Sequence, residues 1–219
     1  MRPPMSHDLR HSVWRGLKVG GLSILLVAFG IGGWAGYLRL TGNIHEVETG
    51  RVFRSGQLWP SQFASMIRAH DIRTVINLRG ESPGESWFDQ ELQTAAARGV
   101  KYISVPMSAN AEPSPELLMK LVHALDTAEQ PVLIHCEGGA DRTGLASAIY
   151  RYRRLGDPPE QASGQLSYWY GHFPWLFSRT GAMDRTFWRL VGQSEATGTT
   201  RQRVSAQQKP EPKMNVRED

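Results

Sequence analysis

The chain has 219 residues, with 25 basic and 21 acidic side chains, a net charge of +4 and a single cysteine. That length bounds it to one domain with a sizeable core plus appendages, and one cysteine excludes an intramolecular disulfide. The basic residues are spread out, with no aromatic-interleaved basic run, no zinc-finger spacing and no cluster at metal-ligand spacing, so no nucleic acid, metal or other cofactor is expected.

Residues 1–18 read as a basic N-terminal tail, in which Arg2, Arg10, Arg15 and Lys18 are set against only Asp8. Residues 19–38 carry no charge and are bracketed by Lys18 and Arg39. As a helix this run is about 30 Å long at ~1.5 Å per residue, enough to cross a bilayer. Trp34 and Tyr37 fall near its far end, where amphipathic rings favour the interface. An uncleaved single-pass transmembrane anchor is the preferred reading. It stands ahead of a cleaved signal peptide, with Gly33 and Ala35 at a cleavage spacing, and of a buried core helix. Gly32 and Gly36 stand at a spacing that favours helix pairing. The basic tail assigns the amino end to the cytoplasm and the folded domain to the far side, the periplasm in a Gram-negative bacterium.

Residues 39–193 hold the folded domain. Glu46 to Arg54 predicts a strand pair turning at Thr49-Gly50, and Pro60 to His70 a helix with Phe63, Met66 and Ile67 on one face. A buried strand is expected at Thr74 to Leu78, a helix from Glu85 to Arg98 ended by Gly99, and a strand within Val100 to Met107. Ser114-Pro115-Glu116 opens a helix with a cap, a first-turn proline and acidic charge. Pro131 to Ile134 is a buried strand, and Leu145 to Tyr150 opens another helix. Beyond the Gly156-Asp157-Pro158-Pro159 break, helices are expected at Glu160 to Tyr170 and Ala182 to Val191. The aromatic cluster Tyr168, Trp169, Tyr170, Phe173, Trp175 and Phe177 is expected in core or helix-contact packing. Residues 194–219 lack apolar periodicity and read as a disordered tail. The alternation is a βαβ series, so the fold class is α/β: a central, mostly parallel sheet flanked by helices, preceded by a transmembrane helix.

The chemistry concentrates in His135-Cys136-Glu137-Gly138-Gly139-Ala140-Asp141-Arg142-Thr143-Gly144, which joins a strand to a helix start. Backbone N–H groups in such a loop point inward, and the helix dipole adds partial positive charge. Cys136 and Arg142 are separated by five residues, the spacing that wraps a loop once around a tetrahedral oxyanion. The amides of Glu137, Gly138, Gly139, Ala140, Asp141 and Arg142 then bind phosphate, Arg142 closes the rim with a planar fork of donors, and a thiolate sits at the floor. A lone cysteine ending an apolar strand is otherwise an inert core residue.

This loop, with Val52-Phe53-Arg54-Ser55-Gly56-Gln57 and Val75-Ile76-Asn77-Leu78-Arg79 upstream, resembles the cysteine-dependent protein tyrosine phosphatase superfamily, in its compact dual-specificity branch. The resemblance covers roughly residues 43–193. It implies attack of Cys136 on phosphorus, a cysteinyl-phosphate intermediate and hydrolysis by water, on a phosphorylated protein or a lightly phosphorylated phospholipid head group. It places His135 as an orienting group behind the nucleophile. Thr143 would donate to the sulfur or cap the helix, and Arg54 and Arg79 would supply pocket charge or pair with Glu81 or Glu85. Most of the superfamily takes the leaving-group proton from an Asp on an upstream loop, but here Pro106 to Pro113 has none. Asp141, at a place where myotubularin-like phosphatases carry Asp, is the first candidate acid and Glu112 the second. The alternative role for Asp141 is a carboxylate paired with a nearby Arg, which would leave it ionised and unable to donate. The acidic loop argues for a substrate with few phosphates. An inactive, membrane-anchored phosphate-binding module and a cysteine enzyme of sulfur transfer or arsenate reduction are the competing readings.

Overall fold

The computed structural model describes residues 7–175 and 178–207. Helix α1 (His7–Thr41) leads into an antiparallel pair, β1 (His45–Glu48) and β2 (Val52–Ser55). Then follow α2 (Pro60–Ala69), β3 (Thr74–Asn77), α3 (Ser86–Ala97), β4 (Lys101–Ser104), α4 (Pro115–Thr127), β5 (Val132–His135) and α5 (Asp141–Tyr150). The sheet order is β1-β2-β5-β3-β4, parallel except at β1. The fold is therefore the α/β class expected, a central sheet flanked by helices.

β2, β3 and β5 are buried at every position, as apolar, β-branched runs covered on both faces should be. Their period of two divides the core. Val52, Ile76, Val132 and Ile134 pack with Leu121, Leu145, Ile149 and Phe187 on one side. Phe53, Val75 and Leu133 pack with Phe63, Met66 and Ile67 of α2 on the other. The register sets Ser55 and Asn77 opposite His135, and Ser104 opposite Asn77, so the loops after β2, β3, β4 and β5 leave along one edge. Ligands in such sheets bind beyond that edge.

Four expectations are corrected. The helix of α1 already begins at His7, inside the expected 1–18 tail; residues 1–6 lie outside the described residues. The helix expected from Glu160 to Tyr170 is only α6 (Pro159–Ser163) and a short 3-10 turn at Tyr168–Tyr170. Between them the carbonyl and side-chain oxygens of Gln165 both accept from the buried Arg54 Nη1, a tertiary bond that local helix propensity does not outweigh. Tyr168, Trp169 and Trp175 are 48%, 59% and 68% exposed and so lie outside the core, while Trp169 keeps the expected helix contact through Trp34 of α1; Phe177 lies outside the described residues. Finally, α7 (Gly181–Gln207) carries helical backbone through 194–207, where a disordered tail was expected; 208–219 lie outside the described residues. A helix anchored by packed Met183, Phe187, Leu190 and Val191 extends at little cost, because nucleation is its unfavourable step.

Lys18–Thr41 is a 24-residue helical segment of mean hydropathy 1.7, long and apolar enough to cross a membrane, and its most apolar stretch is not buried. Among the described residues, its last turns touch the domain. Leu38 is buried, Trp34 Nε1 donates to the Tyr168 carbonyl at 3.2 Å, and the Trp34 and Trp169 rings meet edge to face.

Candidate active site

Cys136 follows the last residue of β5 and is buried to 2% exposure. Four carbonyls of the loop after it are held, three by residues outside the loop and the fourth by the first helical bond of α5. Gln57 N donates to Glu137 O at 2.9 Å, Asn43 Nδ2 to Gly138 O at 3.0 Å, Arg54 Nη2 to Gly139 O at 2.7 Å and Gly144 N to Ala140 O at 2.9 Å. A trans peptide directs the next N–H opposite to its carbonyl. Four outward carbonyls therefore aim the N–H groups of Gly138, Gly139, Ala140 and Asp141 into the hollow. The first-turn amides of α5 add donors with no intrahelical acceptor and the positive end of the helix dipole.

Gly139 is the position where no other residue fits. Its φ is +71°, and a Cβ would lie 2.5 Å from Gly56 N and 2.7 Å from Ser55 C. Gly138, by contrast, opens onto free space.

Arg142 Nη1 donates to Met107 O at 3.2 Å and more weakly to Leu78 O at 3.4 Å, tying the guanidinium to the chain beyond β4 and β3. Its buried Nε has no hydrogen-bond partner among the described residues. A buried guanidinium donor left unpaired is costly, and an anion in the loop would complete it.

Arg54 does not enter the pocket. It is fully buried behind the loop, bonded to Gln165 and Gly139, with its guanidinium 3.9 Å from the Tyr170 ring centre. Burial pushes it down to about 10, which leaves it cationic at neutral pH. Arg79 pairs with neither Glu81 nor Glu85: its Nη1 donates to Gln57 Oε1 at 2.6 Å and its guanidinium stacks on Trp87 at 3.6 Å. Gln57 Nε2 in turn donates to the buried Glu91, which also accepts from the Tyr102 hydroxyl. His135 Nε2 lies 3.5 Å from Glu91, and burial pushes that imidazole down, so it is neutral beside Cys136. Thr143 is also buried, and its hydroxyl points to Ser55 O at 3.4 Å rather than to the sulfur; the cap position of α5 is Ala140, with no side-chain cap.

The two candidate acids have different surroundings. Glu112 is gripped by Arg185 Nε at 2.8 Å and Arg189 Nη1 at 2.6 Å, and the Arg185 hydrogen bond leads in holding it below its usual range. Asp141 Oδ1 lies 2.7 Å from His172 Nδ1, and His172 Nε2 lies 2.9 Å from Asp184 Oδ2. Burial alone would lower His172, but hydrogen bonds to Asp141 and Asp184 outweigh it and lift the imidazole to about 9. At neutral pH both ring nitrogens donate, so Asp141 has the paired-cation surroundings that were its alternative role, with His172 in place of an arginine. Sequence reasoning missed His172, Asp184 and Asn43: they lie 31, 43 and 98 positions from Asp141, and no local pattern marks them.

The chain is similar to phosphatases throughout. Tyrosine-protein phosphatase cdc-14 of Caenorhabditis elegans is 22% identical over 107 residues, 49% of this chain and 14% of the relative, so the chain spans a small part of that protein's length. The core catalytic domain of the PP-IP phosphatase SIW14 from S. cerevisiae shares the fold with a TM-score of 0.52 and 20% identity, over 70% of this chain and 93% of that one. PTPMT1 does so with a TM-score of 0.52 and 16% identity, over 70% and 99%. The family described as DSP-PTPase phosphatase fused to NAD+ kinase matches residues 39–173, which include the whole loop. By that match, which spans more than half of the sequence, the chain belongs to this family of compact, cysteine-dependent dual-specificity phosphatases.

Proposed function

We propose that the protein is a phosphomonoester hydrolase of the Cys-x5-Arg type, anchored to a membrane by α1. The observation that carries this reading is the ring of four outward carbonyls, which turns four amides toward the Cys136 side of the loop. The family description and the name of the Caenorhabditis relative support the same reaction class. The substrate is a phosphorylated protein or a lightly phosphorylated lipid head group.

The Cys136 thiolate attacks phosphorus in line, forming the S–P bond as the ester P–O bond breaks. Arg142 and the inward amides hold the equatorial oxygens where charge must be stabilised. His172, stocked with a proton at neutral pH by its two carboxylates, passes its Nδ1 proton to the Asp141 carboxylate, and Asp141 delivers it to the leaving oxygen. Water then attacks the cysteinyl phosphate, releases inorganic phosphate and returns a proton to the Asp141–His172 pair. Glu112, bound by two arginines on α7, is not used.

Phosphate release from p-nitrophenyl phosphate tests the reading, since that leaving group scarcely needs an acid. Wild type releases phosphate, Cys136→Ser loses at least ~10³-fold, and Asp141→Asn loses little on this substrate but ~10²-fold or more on an alkyl phosphate. Equal activity of Cys136→Ser and wild type would reject the mechanism, and silence of the wild type would favour an inactive phosphate-binding module.

A further inference from the structure

Resting on the phosphatase reading, we infer that the phosphate ester is carried by a lipid of the bilayer that holds α1, as a single terminal phosphate presented beside its own apolar chain. Three observations lead there.

The first is height. The apolar run ends at Leu38, and the next residue, Arg39, places its Nη2 3.6 Å from Glu137 Oε1 in the phosphate loop. Gly42 O accepts from Gly56 N at 2.8 Å, and Asn43 Nδ2 donates to Gly138 O. At ~1.5 Å per residue the helix ends at Thr41, about 4.5 Å beyond Leu38, and Asn43 follows two residues later. The polar layer on each side of the hydrocarbon is itself about 5–8 Å deep. The loop therefore rests within the head groups, where a lipid phosphate already sits and a phosphorylated side chain of a soluble protein would have to be lowered.

The second is rigidity. No loose linker separates α1 from the domain. Leu38 is buried against Gly171, Trp34 is bonded to Tyr168, and Asn43 is itself buried at 2% exposure with a second bond to Tyr170 O. The domain cannot swing its loop upward toward solvent without breaking these contacts.

The third is the groove. A cleft of about 380 Å³ runs from the loop residues Glu137 and Gly138 to the end of α1, walled by Leu38, Leu58, Trp59 and Trp87. Trp59 is 66% exposed and Trp169 59% exposed, in keeping with indole rings at a head-group boundary. The exposed Arg39 guanidinium stands on the rim and is paired with the loop's Glu137. The groove thus brings an apolar wall up to the edge of the phosphate loop at Glu137 and Gly138, which matches a phosphomonoester lipid better than a polar peptide.

The test uses the full chain reconstituted in phosphatidylcholine vesicles that also contain dioleoyl phosphatidic acid, with p-nitrophenyl phosphate and a phosphotyrosine peptide in solution. Phosphatidic acid in the protein's own vesicles is expected to be cleaved with kcat/KM at least ~10-fold above the peptide, and far faster than the same lipid in separate vesicles. Trp59→Ser should lower the ratio of lipid to p-nitrophenyl phosphate hydrolysis about fivefold; the residue is exposed, so folding is not at stake. If p-nitrophenyl phosphate is cleaved in a Cys136-dependent way while the lipid is spared, or the peptide is preferred, this inference is overturned and the phosphatase reading stands. If neither ester is cleaved, both readings fall.

Discussion

A cysteine and an arginine with five residues between them are legible in any sequence; the residues that make the loop between them rigid are not. Cys136 and Arg142 stand out by their spacing together with Gly138, Gly139 and Thr143-Gly144 around them, and Gly139 is explained by a backbone at positive φ pressed onto Ser55 and Gly56. Gly139→Ala should therefore lose at least ~10²-fold in phosphate release and destabilise by about 1–3 kcal/mol in denaturant melts. Gly138→Ala, with open space at its Cβ, should change neither by much. Arg54 was legible as a basic residue but not as the post behind the loop, because its partners Gln165 and Gly139 are distant in sequence. Arg54→Met leaves those buried acceptors without a donor and should cost about 1–3 kcal/mol for each one left unpaired. Arg54→Lys keeps the charge but cannot span both partners, so it should rescue stability only in part.

At the scale of elements, strands and most helix starts followed from apolar period, capping and breakers. The antiparallel pair at β1 and β2, the three buried positions of α2 and the Ser114 cap of α4 all lie where local chemistry puts them. The segment between α6 and α7 did not, because its conformation is set by what it binds: Gln165 by Arg54, the Tyr170 carbonyl by Asn43, and His172 by carboxylates from two helices. His172 joins the first turn of α5 to the first turn of α7, and its titration should be visible. Its folded-state value, about 9, is raised above the ordinary 6.5, so its contribution to stability is fully present below about pH 6.5 and is lost as pH rises through about 9. Chemical-denaturation midpoints of wild type should thus exceed those of His172→Gln most at pH 6 and converge with them above pH 9. Hydrolysis of alkyl phosphates should fall over the same upper limb, while p-nitrophenyl phosphate hydrolysis should not. A difference that persists unchanged to pH 10 would show that the imidazolium is not the form that matters.

For the whole molecule, the sheet register decides where chemistry can occur, and in the function proposed above α1 decides what can reach it. Ser55, Asn77, Ser104 and His135 end their strands at one level, so the segments that carry Gln57, Arg79, Met107 and Cys136 converge on one edge. That edge was legible from the βαβ order. Its closeness to the end of the apolar helix was not, since it depends on Asn43 and Arg39 folding back onto the loop. All of this presupposes that the sulfur in the amide-lined hollow becomes bonded to phosphorus. Acid-quenched wild type, sampled during turnover and analysed by mass spectrometry, should carry one phosphoryl adduct on the peptide containing Cys136, and Cys136→Ser should show none and release no phosphate. Steady turnover with Cys136 unmodified at every quench time, and retained in Cys136→Ser, would contradict the account.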